Sequence, residues 1–134
     1  METFEINGFA ATMVVRDVEE AVEFYKNLGF KHEVIGSKVV HHHVHRDKLT
    51  IIFHPAKKPE EVCPGTSVVD KKYYFDLYCY TDAVDLVVKE CVLKGIEIVN
   101  GPHYSKDWSE ATIKDLNGYC ITFGGGVANA EILN

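Results

Sequence analysis

Four of the seven histidines in this chain lie in one short stretch, Val39–His45, which reads VVHHHVH. In a strand, alternate side chains share one face, so His41, His43 and His45 would lie together, roughly 6.5–7 Å from one to the next. A His-x-His pair on a strand can chelate one metal ion, and His54 on the following strand is the best candidate for a third ligand. Two alternatives stay open, which are hydrogen bonding to a polar ligand and a strand that simply faces solvent.

A second set of candidates follows about thirty residues later, in the aromatic segment YYFDLYCY. Alternation would place Phe75 and Cys79 on one face of this strand. A phenyl ring there could stack on a planar ligand or merely fill space. Cys79 could act as a nucleophile, but the sequence fixes no base beside it, so a buried neutral thiol is expected.

A tryptophan and a carboxylate come close together on a later predicted strand. Trp108 and Glu110 are two positions apart and so share a strand face. Together they could hold a cationic aromatic ligand through cation–π and charge contacts. The alternative is a tryptophan that only closes the rim of a binding site.

Composition narrows the class of protein. The 134 residues suit one domain, and the formal net charge of −6 argues against nucleic acid, which needs a basic surface. No CxxC motif occurs among the four cysteines, and no run approaches the roughly 18 apolar residues of a membrane span. We therefore expect a cytoplasmic protein with reduced thiols, no membrane partner and no nucleic-acid partner.

The chain reads as βαβββ, twice. A short apolar strand precedes Asp17, a predicted N-cap, and the helix after it ends at Gly29; three strands follow. The second half repeats this order with Asp82 as the predicted cap and Gly95 as the helix end. The pattern predicts an α+β fold with mixed sheets. The expected boundaries within the single domain are module one 8–54, linker 55–72, module two 73–124 and tail 125–134, with Gly124-Gly125-Gly126 as a flexible exit.

Three stretches resemble the vicinal oxygen chelate superfamily, which includes glyoxalase I, bleomycin-resistance proteins and extradiol dioxygenases. They are TMVVRDVEEAVEFYKNLGF (Thr12–Phe30), LYCYTDAVDLVVKECVLKGIEIV (Leu77–Val99) and KDLNGYCITF (Lys114–Phe123), the last similar to the family's DPDGNxIEF ending. The resemblance implies two tandem βαβββ modules whose curved sheets form a cleft. It also implies a homodimer, which the exposed strand edges of small sheets favour as well.

The family's metal ligands are missing from the corresponding positions. The resemblance places these ligands at Ala10, Phe75 and Thr122, and none of these side chains binds a divalent metal well. A shift of one residue would bring Asp76 into reach, still without partners at the other two positions. The departure therefore indicates that no metal cofactor is bound at the family positions.

The favoured hypothesis is a metal-independent binding protein for a small organic molecule, rather than an enzyme. Its competitor is a lyase, isomerase or dioxygenase with a relocated metal at His41, His43 and His54, and an acid–base enzyme using Glu110 or a histidine also stays open. The candidate ligand-binding residues are His41, His43, His45, Phe75, Cys79, Trp108, Glu110 and Thr122.

Overall fold

A computed structural model describes residues 2–65 and 75–126 of the chain. The chain divides into two compact units, Met1–Lys57 and Lys58–Asn134, and the division falls inside the predicted linker. In the described residues each unit carries a four-stranded mixed sheet and one α-helix. The predicted α+β class with two tandem βαβββ modules is confirmed.

Module one contains strand β1 (Ala11–Val15), helix α1 (Val18–Asn27), and strands β2 (Lys31–Ile35), β3 (His41–Arg46) and β4 (Leu49–Pro55). The sheet order is β1-β4-β3-β2. Strand β1 runs parallel to β4, and the other neighbours are antiparallel. The parallel pair arises because the chain returns to β1 only after the helix and a three-stranded meander.

Helix α1 begins and ends where the sequence predicts. The Asp17 carboxylate accepts a hydrogen bond of 3.1 Å from the backbone N–H of Glu20, which satisfies one N–H that the first turn leaves without a partner. Gly29 follows the helix with φ +83°, a conformation that glycine adopts without steric cost. The helix buries Tyr25, whose ring packs against Phe53 of β4 at 5.6 Å between centroids. That contact fixes which face of the sheet belongs to the core.

The predicted alternation of the histidine strand holds only from residue 41 onward. Val44 is fully buried and is paired with the equally buried Ile51, as expected for the core face. The alternative of an ordinary solvent-facing histidine strand would place Val40 beside Val44 on the helix side, but Val40 does not pack there. Val40 lies one residue before β3 begins and is exposed.

Module two contains strand β5 (Leu77–Tyr80), helix α2 (Val84–Leu93), and strands β6 (Ile98–His103), β7 (Ser109–Lys114) and β8 (Cys120–Gly125). The order β5-β8-β7-β6, with β5 parallel to β8, repeats that of module one. Helix α2 packs on β6, β7 and β8. Ala111, Ile113 and Ile121 form the buried apolar face of this sheet.

The N-terminus of α2 differs from the prediction. Asp82 was expected to cap this helix, but the N-cap residue is Ala83, and no side chain caps the helix directly. Instead, the hydroxyl of Thr81 accepts a 3.1 Å hydrogen bond from the N–H of Ala83, just outside the helix. A threonine one residue earlier thus replaces the predicted aspartate, which the sequence pattern alone does not distinguish. The predicted end at Gly95, φ +70°, is correct.

Two further expectations are corrected by the strand boundaries. The predicted strand included Phe75 and Asp76, but β5 starts at Leu77; residues 73 and 74 of that prediction lie outside the described part. Gly124 and Gly125 are strand residues of β8 and not a flexible exit; of the predicted tail, only the stretch up to residue 126 is described. A short 3-10 helix, Pro59–Glu61, lies within the predicted linker. No helix in the described ranges has the length and apolar character needed to cross a membrane.

Candidate functional site

A short hydrogen-bonded series links three side chains of module two. The hydroxyl of Tyr78 donates to Oε2 of Glu110 at 2.6 Å. Its oxygen accepts a hydrogen bond from Nε1 of Trp108 at 2.8 Å. The phenol hydroxyl of Tyr78 therefore donates its single proton to the carboxylate and accepts the indole N–H with one lone pair. These bonds fix the orientation of all three side chains.

Neighbouring strands bring these residues together. Tyr80 on β5 lies beside Gly124 on β8, which in turn lies beside Glu110 on β7. Laterally paired residues point to the same side of a sheet, so Tyr78, Tyr80 and Glu110 share one face. Gly124 leaves the space that the hydrogen-bonded series occupies. A Cβ at that position would clash with Oη of Tyr78 and lie 2.9 Å from Nε1 of Trp108.

Aromatic rings surround the hydrogen bonds. The ring centroid of Tyr78 lies 5.1 Å from that of Phe75 and 5.5 Å from that of Tyr80. Tyr80 meets Trp108 at 6.3 Å with the two planes 79° apart, so these two rings form a corner. Phe75, Tyr80 and Trp108 are 40%, 80% and 43% exposed. We call Phe75, Tyr78, Tyr80, Trp108 and Glu110 the aromatic–carboxylate cluster.

The phenol of Tyr78 is a neutral hydrogen-bond donor at neutral pH. Partial burial raises its pKa above the ordinary value of 10, and the hydrogen bond to Glu110 raises it further, while the bond from Trp108 lowers it. The site therefore offers no phenolate base. Within the described ranges the Glu110 carboxylate accepts its hydrogen bond at Oε2 from Tyr78, and its other oxygen has no such partner. That oxygen is available to a ligand.

Cys79 lies on the opposite face of β5 from the cluster. Cys79 and Thr122 were both candidate ligand-binding residues, but they lie on opposite faces of the sheet, because Tyr78 pairs laterally with Thr122 whereas Cys79 pairs with Phe123. Burial raises the pKa of the Cys79 thiol to about 11. It is thus a neutral thiol near pH 7, as predicted, although its side chain is half-buried rather than buried.

We predict that Cys79 reacts far more slowly than Cys63 with a thiol-specific reagent at pH 7.5. Cys63 is exposed, whereas Cys91 and Cys120 are buried and Cys79 is largely protonated because its pKa is raised. Titration of the native protein with a disulfide-based reagent should give one fast thiol, and four after denaturation. Rapid loss of native Cys79 to alkylation at neutral pH, detected by peptide mass spectrometry, would contradict this assignment.

The residues predicted at the family's metal-ligand positions, and Asp76 beside them, do not provide a donor set for a divalent metal. Ala10 is exposed and precedes β1, and the ring of Phe75 has no lone pair. Thr122 is 1% exposed and its hydroxyl shares a 2.7 Å hydrogen bond with that of Thr112. Asp76 is also engaged, since its two oxygens accept hydrogen bonds from backbone N–H groups, at 2.7 and 2.9 Å. These residues do not fit a divalent metal.

The histidines of module one divide between the two faces of their sheet. Lateral pairing of His43 with Glu33 and Ile52 places His41, His43 and His45 on the face opposite Val44. The rings of His41 and His54 come to 6.0 Å, so the predicted neighbourhood of these two histidines is correct. Among the residues that the structure describes, however, no three His, Cys, Asp or Glu side chains are placed to hold one metal ion.

His42 points to the other face and has a histidine partner of its own. Its Nδ1 lies 3.0 Å from Nε2 of His32 on β2. Partial burial and the neighbouring His42 lower the pKa of His32. The pair joins two adjacent strands, and it is separate from the odd-numbered histidines.

Sequence reasoning identified Trp108, Glu110 and Phe75 but missed the partners that organise them. Tyr78 and Tyr80 were not among the candidate residues, because alternation counted from Phe75 places them on the other face of that strand. The lateral pairing of β5 with β8 identifies them, because Tyr78 lies opposite Thr122 and therefore on the same face of the sheet. Asp76, two residues before Tyr78, shares that face by alternation. Gly124 was missed because the three glycines were interpreted as a flexible exit.

Comparison with known proteins agrees with this architecture. Residues 8–123 match the model of the Glyoxalase/Bleomycin resistance protein/Dioxygenase superfamily. Because the match covers most of the chain, the protein belongs to this superfamily, as the resemblance implied. No curated protein matches the sequence significantly.

Solved structures share the fold at low sequence identity. A glyoxalase family protein from Bacillus anthracis is 17% identical, with a TM-score of 0.68 over 94% of this chain and 99% of that one. TnmS3, an antibiotic-binding protein from Streptomyces sp. CB03234, is 19% identical, with a TM-score of 0.65 over 94% and 98%. An integron cassette protein from V. cholerae is 20% identical, with a TM-score of 0.66 over 93% and 98%. Identities this low establish the fold alone.

Proposed function

We propose that this protein binds a small organic molecule at the aromatic–carboxylate cluster, without a metal ion. The observation that carries the proposal is the exposure of Tyr80 and Trp108, two rings at right angles beside a fixed carboxylate. Exposed rings held by neighbours form a binding surface at low entropic cost, because little freedom remains to be lost on binding.

Solved proteins with a similar fold support a binding role of this kind. TnmS3, with the same fold, is described as an antibiotic-binding protein. Of the residues predicted at or beside the family's metal positions, Ala10 and Phe75 have no donor atom, and the oxygens of Thr122 and Asp76 are already hydrogen-bonded, so a role that needs no Lewis acid suits the site better. The raised pKa of Tyr78 also favours a hydrogen-bonding role over a proton-abstracting one.

A thermal-shift screen of planar organic compounds tests the proposal, using protein dialysed against a chelator. A compound at one hundred times its dissociation constant should stabilise the native state by about 2.7 kcal/mol, a Tm increase of about 10 °C for a chain of this size. Tyr80→Ala should abolish most of the increase. Leu93→Ala, which removes an equally exposed side chain from α2, should leave it unchanged. Equal shifts in both variants would contradict the proposed site.

The competing hypothesis, a metal enzyme using His41, His43 and His54, makes a different prediction. We expect protein purified without added metal to hold nickel, zinc, iron and manganese well below one ion per chain, measured by mass spectrometry. His43→Ala should leave these amounts unchanged, as should His103→Ala, a control on β6. One tightly bound ion per chain that disappears only in His43→Ala would establish the metal site and reject a metal-independent function.

We also propose that the protein is a homodimer. Strand β2 is an edge strand of module one, and Val34, Ile35 and the nearby Val39 are exposed apolar residues. Edge strands with apolar side chains tend to pair with a second copy. Light scattering at micromolar concentration should therefore give about twice the chain mass of 15.1 kDa. A mass that stays near 15.1 kDa would reject this assembly.

A further inference from the structure

We infer that the ligand of the aromatic–carboxylate cluster is an organic cation, held through an alkylammonium group between the Tyr80–Trp108 corner and Glu110. This inference rests on the proposed function and specifies its ligand class. Three observations lead to it, which are the geometry of the rings, the state of the carboxylate and the hydrogen bonds that hold both.

The rings of Tyr80 and Trp108 are nearly perpendicular and partly exposed, so both offer surface to a ligand. The face of an aromatic ring carries partial negative charge, and a cation within about 6 Å of it is attracted. Tyr80 and Trp108 stand 79° apart with centroids separated by 6.3 Å, and Tyr78 adds a third ring 5.5 Å from Tyr80. A group lying in this corner contacts more than one ring. A methylated ammonium suits such a corner because its charge is spread over an apolar surface.

Glu110 supplies a formal negative charge beside the rings. Of the hydrogen-bond donors in the described residues, the Tyr78 hydroxyl is the one that its carboxylate meets, and no lysine or arginine forms an ion pair with it there. The charge is therefore not neutralised by a neighbouring cation. The formal net charge of −6 acts in the same direction, since it attracts cations to the surface.

The site is also organised before a ligand arrives. Tyr78 ties Trp108 and Glu110 together at 2.8 and 2.6 Å, and Gly124 provides the space for this arrangement. A neutral planar ligand would contact the rings but would not neutralise the negative charge of Glu110. An anionic ligand would meet repulsion from Glu110. A cation uses both features, and this is what separates it from the other ligand classes.

The test compares two compounds of the same shape, choline and its neutral isostere 3,3-dimethyl-1-butanol. Trp108 is the only tryptophan of the chain, so its fluorescence reports on the site directly. Choline should change this fluorescence with an affinity at least about tenfold higher than that of the alcohol, at constant ionic strength maintained with sodium chloride. Sodium chloride alone serves as the blank.

Glu110→Gln keeps an oxygen that can accept the Tyr78 hydrogen bond but removes the charge. In this variant the preference for choline should fall to about threefold or less. Glu97→Gln removes the same charge from an exposed position of module two and should keep the full preference. Equal affinities for the two compounds in the wild type, an unchanged preference in Glu110→Gln, or no response to millimolar choline would each overturn the cation inference. A neutral hit from the thermal-shift screen that depends on Tyr80 would then still support the proposed function, whereas a screen without any such hit would reject both.

Discussion

Replacing Gly125 by alanine should destabilise the protein by about 3 kcal/mol and lower its Tm by about 10 °C. A Cβ at this position would overlap the carbonyl oxygen of Thr81 and lie 2.7 Å from its carbon. Backbone atoms cannot rotate away as a side chain can, so β8 must move from the β5–α2 connection. That movement also weakens the 2.9 Å hydrogen bond from Thr81 N–H to the carbonyl of Gly124.

Gly126→Ala is the matched control for this prediction. The added methyl meets nothing within 4 Å in the described structure, and Gly126 has no positive φ. Chemical denaturation of the three proteins would measure the free energy of unfolding. Equal stability of Gly125→Ala and Gly126→Ala would show that β8 does not lie against the backbone of Thr81 as described.

Gly124→Ala should weaken ligand binding at least about tenfold while it costs only about 1–2 kcal/mol of stability. The new methyl group takes the space of the Tyr78 hydroxyl, so Tyr78 must rotate away from the sheet. The hydrogen bonds to Glu110 and from Trp108 are then lost together. Since side chains can move aside more easily than backbone, the loss in stability should be smaller than at Gly125.

Two readouts separate this effect from general damage. The fluorescence spectrum of Trp108 should shift in Gly124→Ala without ligand, because the indole N–H loses its partner. Gly126→Ala should leave both the spectrum and the affinity unchanged. An unaltered spectrum together with wild-type affinity in Gly124→Ala would mean that the hydrogen-bonded series does not organise the site.

The fold could be predicted from local signals because they agree with one another. The cap at Asp17 and the glycines after both helices each indicate the same element order. The ends of the strands were harder to predict, because the apolar alternation in the sequence continues beyond the residues that pair with a neighbouring strand. Val40 shows this, because its alternation fits a core position although β3 starts one residue later.

The candidate site was predictable only in part. Trp108 and Glu110 are visible as a close pair of the right types. The pairing of Tyr78 with Thr122 decides which face of β5 lies beside Trp108 and Glu110. These two strands are more than forty residues apart in the sequence, so local patterns do not reveal their pairing. A shift of one residue reverses every side chain of a strand, so a small error in counting moved the prediction from Tyr78 to Cys79.

The most direct test of a metal-independent binding site is a titration of chelator-treated protein with a compound from the screen, followed by both Trp108 fluorescence and calorimetry. The two methods should give the same dissociation constant with one ligand per chain, and added divalent metal should not change it. Tyr80→Ala should raise that constant at least about tenfold. Calorimetric binding that leaves Trp108 fluorescence unchanged, survives Tyr80→Ala or appears only after metal is added would contradict the account.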